Sequence, residues 1–396
     1  MVESKGRLLV IGDAGSHSGF GSVVHAIGER LVADYQWDVS VIAANYRGDY
    51  YDTNLKLYPA ARDVPTDIIG MSRFVKVTAD VMPDAILFVN DPAVVAGALL
   101  RNPWDTEQVL WRGMKGSGDF IYKPPILSYM PIDGYDSPRE WDILTDRVRR
   151  IAMTHFGQQA MPEAPVIWHG VDTLVFHPRD KREAKRALGF DPDRFLVLRV
   201  DKNSIRKDYP ATYKALRPVL RRHDDVDVHF HCQPNTSGTD GYNLNAIRFN
   251  DEDIRDRVTF TPNLGGFLGM TQEQLATLYA AADLFVSTSW GEGFGLTILE
   301  AMASGTPVLA QDCSAITEVV GDAGILVKPK GRITMPMGQE MCLPDIEKFT
   351  YWIEHLYGSR KLREQLGEAA VKRASQFSWD EATRLMDDQL TQAIIP

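Results

Sequence analysis

Short apolar runs alternate with longer amphipathic segments along almost the whole chain of 396 residues. Such a run is typical of a buried strand, and an amphipathic segment after it is typical of a helix that covers a sheet. The alternation predicts βαβ units and a parallel sheet. The first predicted strands are RLLVIGD, WDVSVIAANY, DAILFVND, EQVLWRG, PILSYMPID and APVIWHG, with helices predicted over SVVHAIGERLVAD and ILTDRVRRIAMTHFG.

A polar, irregular stretch, His169–Arg182, interrupts this pattern before it starts again. Two sets of parallel strands joined by one linker predict an α/β fold with two Rossmann-like domains facing an interdomain cleft. We assign residues 1–175 to the first domain, closed by a C-terminal helix at about 378–396, and residues 176–377 to the second. The second set of predicted strands is RFLVLRV, DVDVHFHCQ, RVTFTPN, ADLFVSTSW, TPVLAQD and AGILVKP.

Composition limits the classes of protein to which the chain can belong. Its formal net charge of −10 argues against nucleic-acid binding over the whole surface. The three cysteines have no C-x-x-C pairing, so the sequence predicts no metal cage and no disulfide framework. We find no signal-peptide core and no long apolar run. We therefore expect a cytoplasmic protein without a transmembrane segment.

One segment, Lys328–Cys342, departs from the alternation because it is rich in Gly, Pro and Met. This composition predicts a long surface loop. The loop is either a tolerated insertion or a lid over a substrate.

Two acidic residues flank a glycine-rich turn in the segment SWGEGFGLTILEAMASGTPVLAQD. Glu292 is predicted in the turn between a strand and a helix, and Glu300 lies further along that helix, on the same face as Thr297. Free N–H groups at the helix start, unobstructed at Gly293 and Gly295, suit an anion such as a diphosphate. A single acid of this kind is usually a cap or turn residue. Two of them with a threonine on one face favour a ligand site for a sugar and a ribose.

The stretch EGFGLTILE, followed by AMASGTPVLAQDCSAITEVVGDAGILVKP, resembles the E-x7-E signature of retaining GT-B glycosyltransferases of family 4. The resemblance covers almost the whole chain and is strongest from about Glu273 to Pro329. It implies a GT-B fold, with the acceptor bound by the first domain and the nucleotide sugar by the second. It also implies that Glu292 contacts the donor sugar and Glu300 the ribose hydroxyls. The diphosphate is then expected on the backbone of Phe294, Gly295 and Leu296 with Thr297.

A charged loop, RVDKNSIRKDYP, follows the first strand of the second domain. Such a run is commonly a solvated surface, but the carboxyl end of a strand points to the ligand. In the family an arginine and a lysine of this loop neutralise the leaving diphosphate. Lys207 matches the lysine, whereas Lys202 occupies the place of the arginine and binds phosphate as a point charge. Arg206 is a further candidate for this contact.

The first domain contributes further candidates. The glycines after the first strand lack the dinucleotide-binding spacing. They resemble instead the glycine loop by which the family brings Gly19 and Gly21 close to the donor phosphate and the acceptor. His17 is either an acceptor contact or merely exposed. Asp133 stands where many family members have a histidine near the reacting sugar, and it is either a sugar contact or part of a turn.

The resemblance implies a retaining hexosyltransferase that uses a nucleotide diphosphate sugar, with a UDP-glucose-like donor favoured and GDP-mannose as the alternative. The departing phosphate takes the acceptor proton in a front-side mechanism, so neither a strong protein base nor a metal is expected. We expect no cofactor beyond this co-substrate. A phosphorylase or an epimerase fits the two glutamates less well, and a non-catalytic sugar-nucleotide sensor stays open.

The acceptor is a hydroxyl of a glycan, a lipid head group, a small molecule or a modified DNA base. Two segments, Ala43–Asp52 and Trp111–Pro125, interleave aromatic residues with basic ones. They can stack sugars, neutralise a nucleic-acid strand, or be ordinary surface loops. Their basic residues are Arg47, Arg112, Lys115 and Lys123.

Overall fold

A computed structural model of the chain describes residues 4–16, 18–64, 66–100, 124–138, 141, 147–235, 241–261 and 270–395. The chain forms two compact units. The first comprises residues 1–132, 137–170 and 379–396. The second comprises residues 133–136 and 171–378.

The first unit contains a six-stranded parallel sheet in the order β3-β2-β1-β4-β5-β6. Its central strands are buried over nearly their whole length, because helices cover both faces of such a sheet. The strands are β1 Gly6–Asp13, β2 Trp37–Ala44, β3 Lys56–Pro59, β4 Ala85–Val89, β5 Ile126–Met130 and β6 Arg149–Ala152; the helices are α1 Gly19–Ala33, α2 Met71–Val81, α3 Pro92–Leu100 and α4 His155–Ala160.

The second unit repeats this topology, with a six-stranded parallel sheet in the order β12-β11-β10-β7-β8-β9. The sheet strands are β7 Phe195–Val200, β8 Val226–His231, β9 Val258–Phe260, β10 Leu284–Ser287, β11 Val308–Gln311 and β12 Ile325–Val327. The helices are α5 Lys181–Ala187, α6 Tyr209–Arg222, α7 Leu244–Phe249, α8 Gln272–Ala281, α9 Leu296–Ala303, α10 Ser314–Val320, α11 Ile346–Gly358 and α12 Arg360–Ala374, with 3-10 turns at Ile205–Lys207 and Arg255–Arg257.

In each sheet the strand order reverses at one place, between β1 and β4 in the first unit and between β7 and β10 in the second. Open parallel sheets bind ligands beyond the carboxyl ends of the strands at such a switch point. These two sheets confirm the predicted pair of Rossmann-like domains.

The last helix, α13 (Trp379–Ile394), packs against α1 and so belongs to the first unit. Its buried Asp387 joins α13 to the N-terminal ends of β1 and β2. The carboxylate accepts a hydrogen bond from the Trp37 indole N–H at 2.8 Å and forms an ion pair with the Lys5 ammonium at 2.7 Å. A carboxylate is therefore satisfied by two partners in a largely apolar interface.

The predicted helix over residues 143–157 is wrong at residues 149–152 and right at residues 155–157. Residues 149–152 form β6, which pairs with β5, and α4 begins only after its N-cap Thr154. Ile151 and Ala152 are buried in the sheet, so strand pairing outweighs the helical pattern that surrounds them. The predicted strand APVIWHG makes a single bridge, between Ala152 and Val166.

The predicted surface loop Lys328–Cys342 is also wrong. It contains an antiparallel hairpin of β13 (Gly331–Thr334) and β14 (Glu340–Leu343). Gly338 has a φ of 92° in the connection, a conformation that glycine adopts without strain. Of the Gly and Pro residues that suggested a loop, Pro336 and Gly338 mark the turn of this hairpin.

Several predicted features lie outside the described residues, namely the strand EQVLWRG, His17, and residues 111–123 with Arg112, Lys115 and Lys123. Among the helices of the described ranges, none is both long and apolar enough to cross a membrane.

We predict that Asp387→Ala weakens the packing of α13, because it leaves the Trp37 indole N–H and the Lys5 ammonium without their partner. A buried polar group left unsatisfied costs about 1–3 kcal/mol. The expected result is a lower melting temperature and faster amide hydrogen exchange in α13. The control is Asp388→Ala, which removes an exposed carboxylate paired with Arg384 and should change stability by less than about 0.5 kcal/mol. Equal effects of the two variants would contradict the assignment.

Candidate functional site

The loops that follow β7 and β10 meet at the switch point of the second sheet. The two strands are neighbours, with Leu198 opposite Phe285, so the segments at their carboxyl ends emerge side by side. Backbone and side-chain hydrogen bonds then join the loops. The Trp290 N–H donates to the Arg206 carbonyl at 2.8 Å, and the Arg206 guanidinium donates to the Gly291 carbonyl at 2.6 Å.

Glu292 lies at this junction with its side chain only 9% exposed. One carboxylate oxygen accepts a hydrogen bond from the Lys207 ammonium at 2.6 Å, and the other from Arg206 at 3.2 Å. The Glu292 N–H donates to the Ser314 hydroxyl at 2.8 Å. Both the backbone and the carboxylate of Glu292 are therefore fixed by named partners.

The ion pairs continue on both sides of Glu292. Lys207 also contacts Asp201 at 2.6 Å, and the second oxygen of Asp201 lies 3.3 Å from the Arg199 guanidinium. On the other side, Arg206 lies 3.3 Å from Asp133. Three cations thus alternate with three carboxylates, and their formal charges cancel. We call this set, Arg199, Asp201, Lys207, Glu292, Arg206 and Asp133, the charge cluster.

Burial and charge act in opposite directions within the charge cluster. Burial raises the pKa of the Glu292 carboxyl, but the charges of Lys207 and Arg206 outweigh it and hold that pKa below its ordinary value. At Asp133, burial dominates over the attraction of Arg206 and raises the pKa. Glu292 is therefore ionised at neutral pH.

Of the three predicted cations, the structure brings two to Glu292. Lys202 is exposed, because Asp201 and Asn203 on either side of it are the buried positions of this extended segment. It lies outside the charge cluster. Arg206, the further candidate of this loop, lies 3.2 Å from Glu292 instead.

Sequence reasoning missed Asp201 and Arg199. Arg199 is fully buried, stacks over the Tyr209 ring at 4.4 Å and donates to the Thr288 hydroxyl at 2.7 Å. A signal for both was present, since charged residues at the end of an apolar strand are costly to bury without partners.

The glycine-rich turn leads from Glu292 into α9. Gly293 and Gly295 are buried, and Gly295 has a φ of 103°, which favours glycine at this N-cap. Phe294 is 4% exposed and its ring packs edge-on against Phe377 at 5.8 Å. The first turn of α9, with Leu296 and Thr297 half-buried, presents backbone N–H groups and a partial positive charge.

Glu300 lies one turn further along α9, on the face of Thr297. Its carboxyl accepts a hydrogen bond from the Tyr279 hydroxyl at 2.8 Å. Burial raises the pKa of Glu300 to about 7, against the opposing effect of that hydrogen bond. Sequence reasoning missed Tyr279, although a tyrosine in an apolar helix needs a partner for its hydroxyl.

In the first unit the glycine loop is organised by the buried Asp13 at the end of β1. Its carboxylate accepts hydrogen bonds from the Gly15 N–H at 3.1 Å, the Ser16 N–H at 3.2 Å and the hydroxyls of Ser16 and Ser18. Ser18 in turn caps α1 by accepting from the Gly21 N–H at 3.0 Å.

The two predicted glycines begin the first turn of α1. Gly19 is exposed. Gly21 is buried, and a Cβ there would lie 2.3 Å from the Ser16 carbonyl oxygen, so only glycine fits.

The aromatic segment Ala43–Asp52 is described in full. Tyr50 is 90% exposed, and Tyr51 stacks on the His25 ring with centroids 4.9 Å apart. Among the described residues, no group of three or more His, Cys, Asp and Glu is arranged to hold a metal ion.

Comparison with known proteins adds the family context. Residues 199–335 match the family model "Glycosyl transferases group 1". A D-inositol 3-phosphate glycosyltransferase from Paenarthrobacter aurescens is 26% identical over 245 residues, covering 61% of this chain and 54% of the relative. The chain spans about half the length of the curated relatives it matches.

Two solved structures resemble the whole chain. Sucrose-phosphate synthase from Thermosynechococcus elongatus has a TM-score of 0.72 and 18% identity, with 98% of each chain covered. Anabaena HepE in complex with UDP-glucose has a TM-score of 0.66 and 16% identity, with 98% of this chain and 100% of HepE covered. At these identities the likeness establishes the GT-B fold.

We predict that Glu300 makes stability depend on pH. The folded-state pKa of about 7 lies above the ordinary glutamate value of 4.5, so the folded protein holds the proton more tightly between these two pH values. Stability therefore falls as pH rises through this window. Glu300→Gln mimics the neutral acid, and we expect it to match wild type near pH 4.5 and to melt at a higher temperature at pH 8. The gain is at most about 3 kcal/mol.

The control for this measurement is Glu364→Gln, an exposed glutamate on α12. It should leave the difference between the two pH values unchanged. A Glu300→Gln variant that melts with wild type at both pH values would refute the assigned environment of Glu300.

Proposed function

We propose that the chain is a retaining glycosyltransferase that moves a hexose from a nucleotide diphosphate sugar to a hydroxyl acceptor. The observation that carries the proposal is the meeting of Glu292, Arg206 and Lys207 beside the N-terminus of α9, at the switch point of the second sheet. The family model for glycosyl transferases group 1 includes all of these residues. The E-x7-E resemblance supports family 4 and retention of configuration.

The donor diphosphate lies on the glycine-rich turn and the first turn of α9. The N–H groups of Phe294, Leu296 and Thr297 are the proposed donors to its oxygens, because a helix start carries a partial positive charge. Arg206 and Lys207 neutralise the charge that develops on the leaving group. Their positive charges take the place that a divalent metal has in other transferases, so we propose that the enzyme needs no metal.

Glu292 binds hydroxyls of the donor sugar. An ionised carboxylate is an acceptor for two hydroxyl groups, and the cations beside Glu292 hold it in this form. Because the same cations face the leaving diphosphate, sugar and leaving group are oriented by one set of contacts. Such positioning lowers the barrier without any group acting as a strong base.

Glu300 binds the ribose hydroxyls. Two neighbouring hydroxyls that donate to its carboxylate stabilise the ionised form, and this counteracts the burial that raises its pKa in the unliganded protein. Donor binding is therefore coupled to the loss of a proton from Glu300 near neutral pH. The Tyr279 hydroxyl holds the carboxyl in place.

Transfer proceeds on the face from which the diphosphate leaves. The acceptor oxygen forms a bond to the anomeric carbon as the bond between that carbon and the leaving phosphate oxygen breaks. The departing phosphate oxygen takes the proton of the acceptor hydroxyl. Asp133, paired with Arg206, is the proposed contact to a sugar or acceptor hydroxyl. Gly19 and Gly21 are proposed contacts to the donor phosphate and the acceptor.

A UDP-sugar is the proposed donor, with UDP-glucose favoured over GDP-mannose. HepE, which shares the fold, is described in complex with UDP-glucose, and this supports the choice. Several relatives are named for transfer to inositol phosphate, which supports a small hydroxylated acceptor. The hypothesis of transfer to a modified DNA base rests on the aromatic and basic loop segments, which lie partly outside the described residues. No further observation favours it.

A thermal-shift screen of nucleotide diphosphates and their sugars in EDTA tests the proposal. A ligand of the native state at 100-fold above its Kd stabilises it by about 2.7 kcal/mol. We expect the UDP series to raise the melting temperature, with slow release of free hexose from the UDP-sugar by mass spectrometry. Binding without any turnover, with or without acceptors, would identify a non-catalytic sensor. No shift with any nucleotide would contradict the proposal.

Glu292→Gln and Glu300→Ala should separate turnover from binding. Loss of the Glu292 charge leaves Arg206 and Lys207 facing the diphosphate, so we expect UDP affinity within about threefold of wild type and turnover lower by about 10²- to 10³-fold. Loss of the ribose contacts in Glu300→Ala should weaken UDP binding about 10- to 100-fold. Calorimetry and initial rates measure both.

The matched control is Glu347→Gln, an exposed glutamate in the first turn of α11. It should behave as wild type in both measurements. Wild-type turnover in Glu292→Gln would remove this residue from the proposed sugar site, and unchanged UDP affinity in Glu300→Ala would remove Glu300 from the ribose site.

A further inference from the structure

Strand β14 of the hairpin has an outer edge whose backbone groups are not paired with β13. In an antiparallel pair, alternate residues of a strand turn their N–H and C=O groups to the same side. Glu340 and Cys342 of β14 turn theirs away from β13, whereas the Leu343 carbonyl accepts from Lys330 at 2.9 Å. An unpaired edge of this kind is normally covered or paired.

Segments next to the candidate site form hydrogen bonds with this edge. Glu340 exchanges two backbone hydrogen bonds with Tyr135, at 2.8 and 2.9 Å. The Cys342 N–H donates to the Trp290 carbonyl at 2.9 Å, and the Cys342 carbonyl accepts from the Gln311 side chain at 2.9 Å. Strand β14 therefore pairs with the tetrapeptide Asp133–Asp136 through Glu340, and with the turn that leads to Glu292 through Cys342.

The tetrapeptide also packs against Gly291, in the turn that leads to Glu292. A Cβ at Gly291 would lie 1.9 Å from the Asp133 carbonyl oxygen, so the backbones touch and only glycine fits. At Gly134 a Cβ would lie 3.0 Å from the Glu340 carbonyl oxygen. Asp133 is thus held beside Arg206 by backbone packing on two sides.

The Tyr135 side chain connects these pieces. The Arg332 guanidinium of β13 lies 3.8 Å from the centre of its ring, and its hydroxyl oxygen accepts from the Ser314 N–H at 3.3 Å. Ser314 has a φ of 47°, an uncommon conformation for a residue with a side chain, which persists only where its surroundings impose it. In this conformation its hydroxyl accepts from the Glu292 N–H.

We propose that the hairpin and the tetrapeptide Asp133–Asp136 form a brace that positions Glu292 and Asp133, with Tyr135 as its central positioning residue. The inference rests on the proposed function, since it assigns the brace a part in the same transfer reaction. Tyr135 acts on Glu292 through Ser314, and on Asp133 through the backbone pairing with Glu340. In this proposal the strands β13 and β14, which lie in the segment that looked like a tolerated loop, support the candidate site.

Tyr135→Phe tests the brace because it removes only the hydroxyl and keeps the ring under Arg332. We expect the turnover number with a UDP-sugar to fall about five- to tenfold, with the Kd for UDP within twofold of wild type and the melting temperature little changed. A role in folding alone would lower the melting temperature and leave the turnover of the folded protein unchanged. Met337→Ala, at the exposed tip of the hairpin, is the control and should keep wild-type turnover.

Hydrogen exchange gives a second readout that does not depend on activity. In Tyr135→Phe and Arg332→Ala, amide exchange in peptides spanning 288–295 and 313–316 should be faster than in wild type and Met337→Ala. Unchanged exchange overturns the brace even if wild type proves inactive, an outcome that would by itself refute only the proposed function. Faster exchange in an active enzyme whose turnover stays at the wild-type value overturns the positioning role.

Discussion

The ion pair between Lys207 and Glu292 is the interaction on which the candidate site depends. It joins the loop after β7 to the turn after β10, the two strands that flank the switch point of the second sheet. Buried ion pairs contribute little net stability, because desolvation offsets much of the attraction. Their value lies in fixing one geometry, and here that geometry sets a carboxylate and two cations at the start of α9.

Two glutamates on one glycine-rich segment have opposite electrostatic environments. Glu292 lies between two cations and stays ionised, whereas Glu300 is half-buried beside Tyr279, and desolvation raises its pKa to about 7. Groups whose environments push their pKa values apart are suited to different tasks. In the proposed reaction an ionised Glu292 suits the hydroxyls of the donor sugar, for which it is a hydrogen-bond acceptor. Glu300, in the same proposal, ionises when the ribose hydroxyls donate to it.

Much of the fold was predictable because burial on both faces of a parallel sheet leaves continuous apolar runs, as in β1 and β7. β6 was not, since its two buried residues, Ile151 and Ala152, lie in a segment with a helical pattern, and only pairing with β5 makes them a strand. The hairpin was hidden for a similar reason. Its strands are short and mostly exposed on β13, so their periodicity is weak, and their partners lie far away in sequence, at Tyr135 and Trp290.

The sequence by itself determined two parallel sheets and a glycine-flanked turn with acids at a fixed spacing, because local periodicity and backbone freedom are written in consecutive residues. Arg206, Lys207 and Glu292 were identifiable as candidates from their place after strands. Tertiary structure decided which charges meet. It left Lys202 exposed, brought Asp201 and Arg199 into the charge cluster, gave Glu300 its partner Tyr279 and set Asp133 beside Arg206. These contacts join residues far apart in the chain or depend on which side of a loop is buried, and neither is fixed until the sheet and its covering elements have packed.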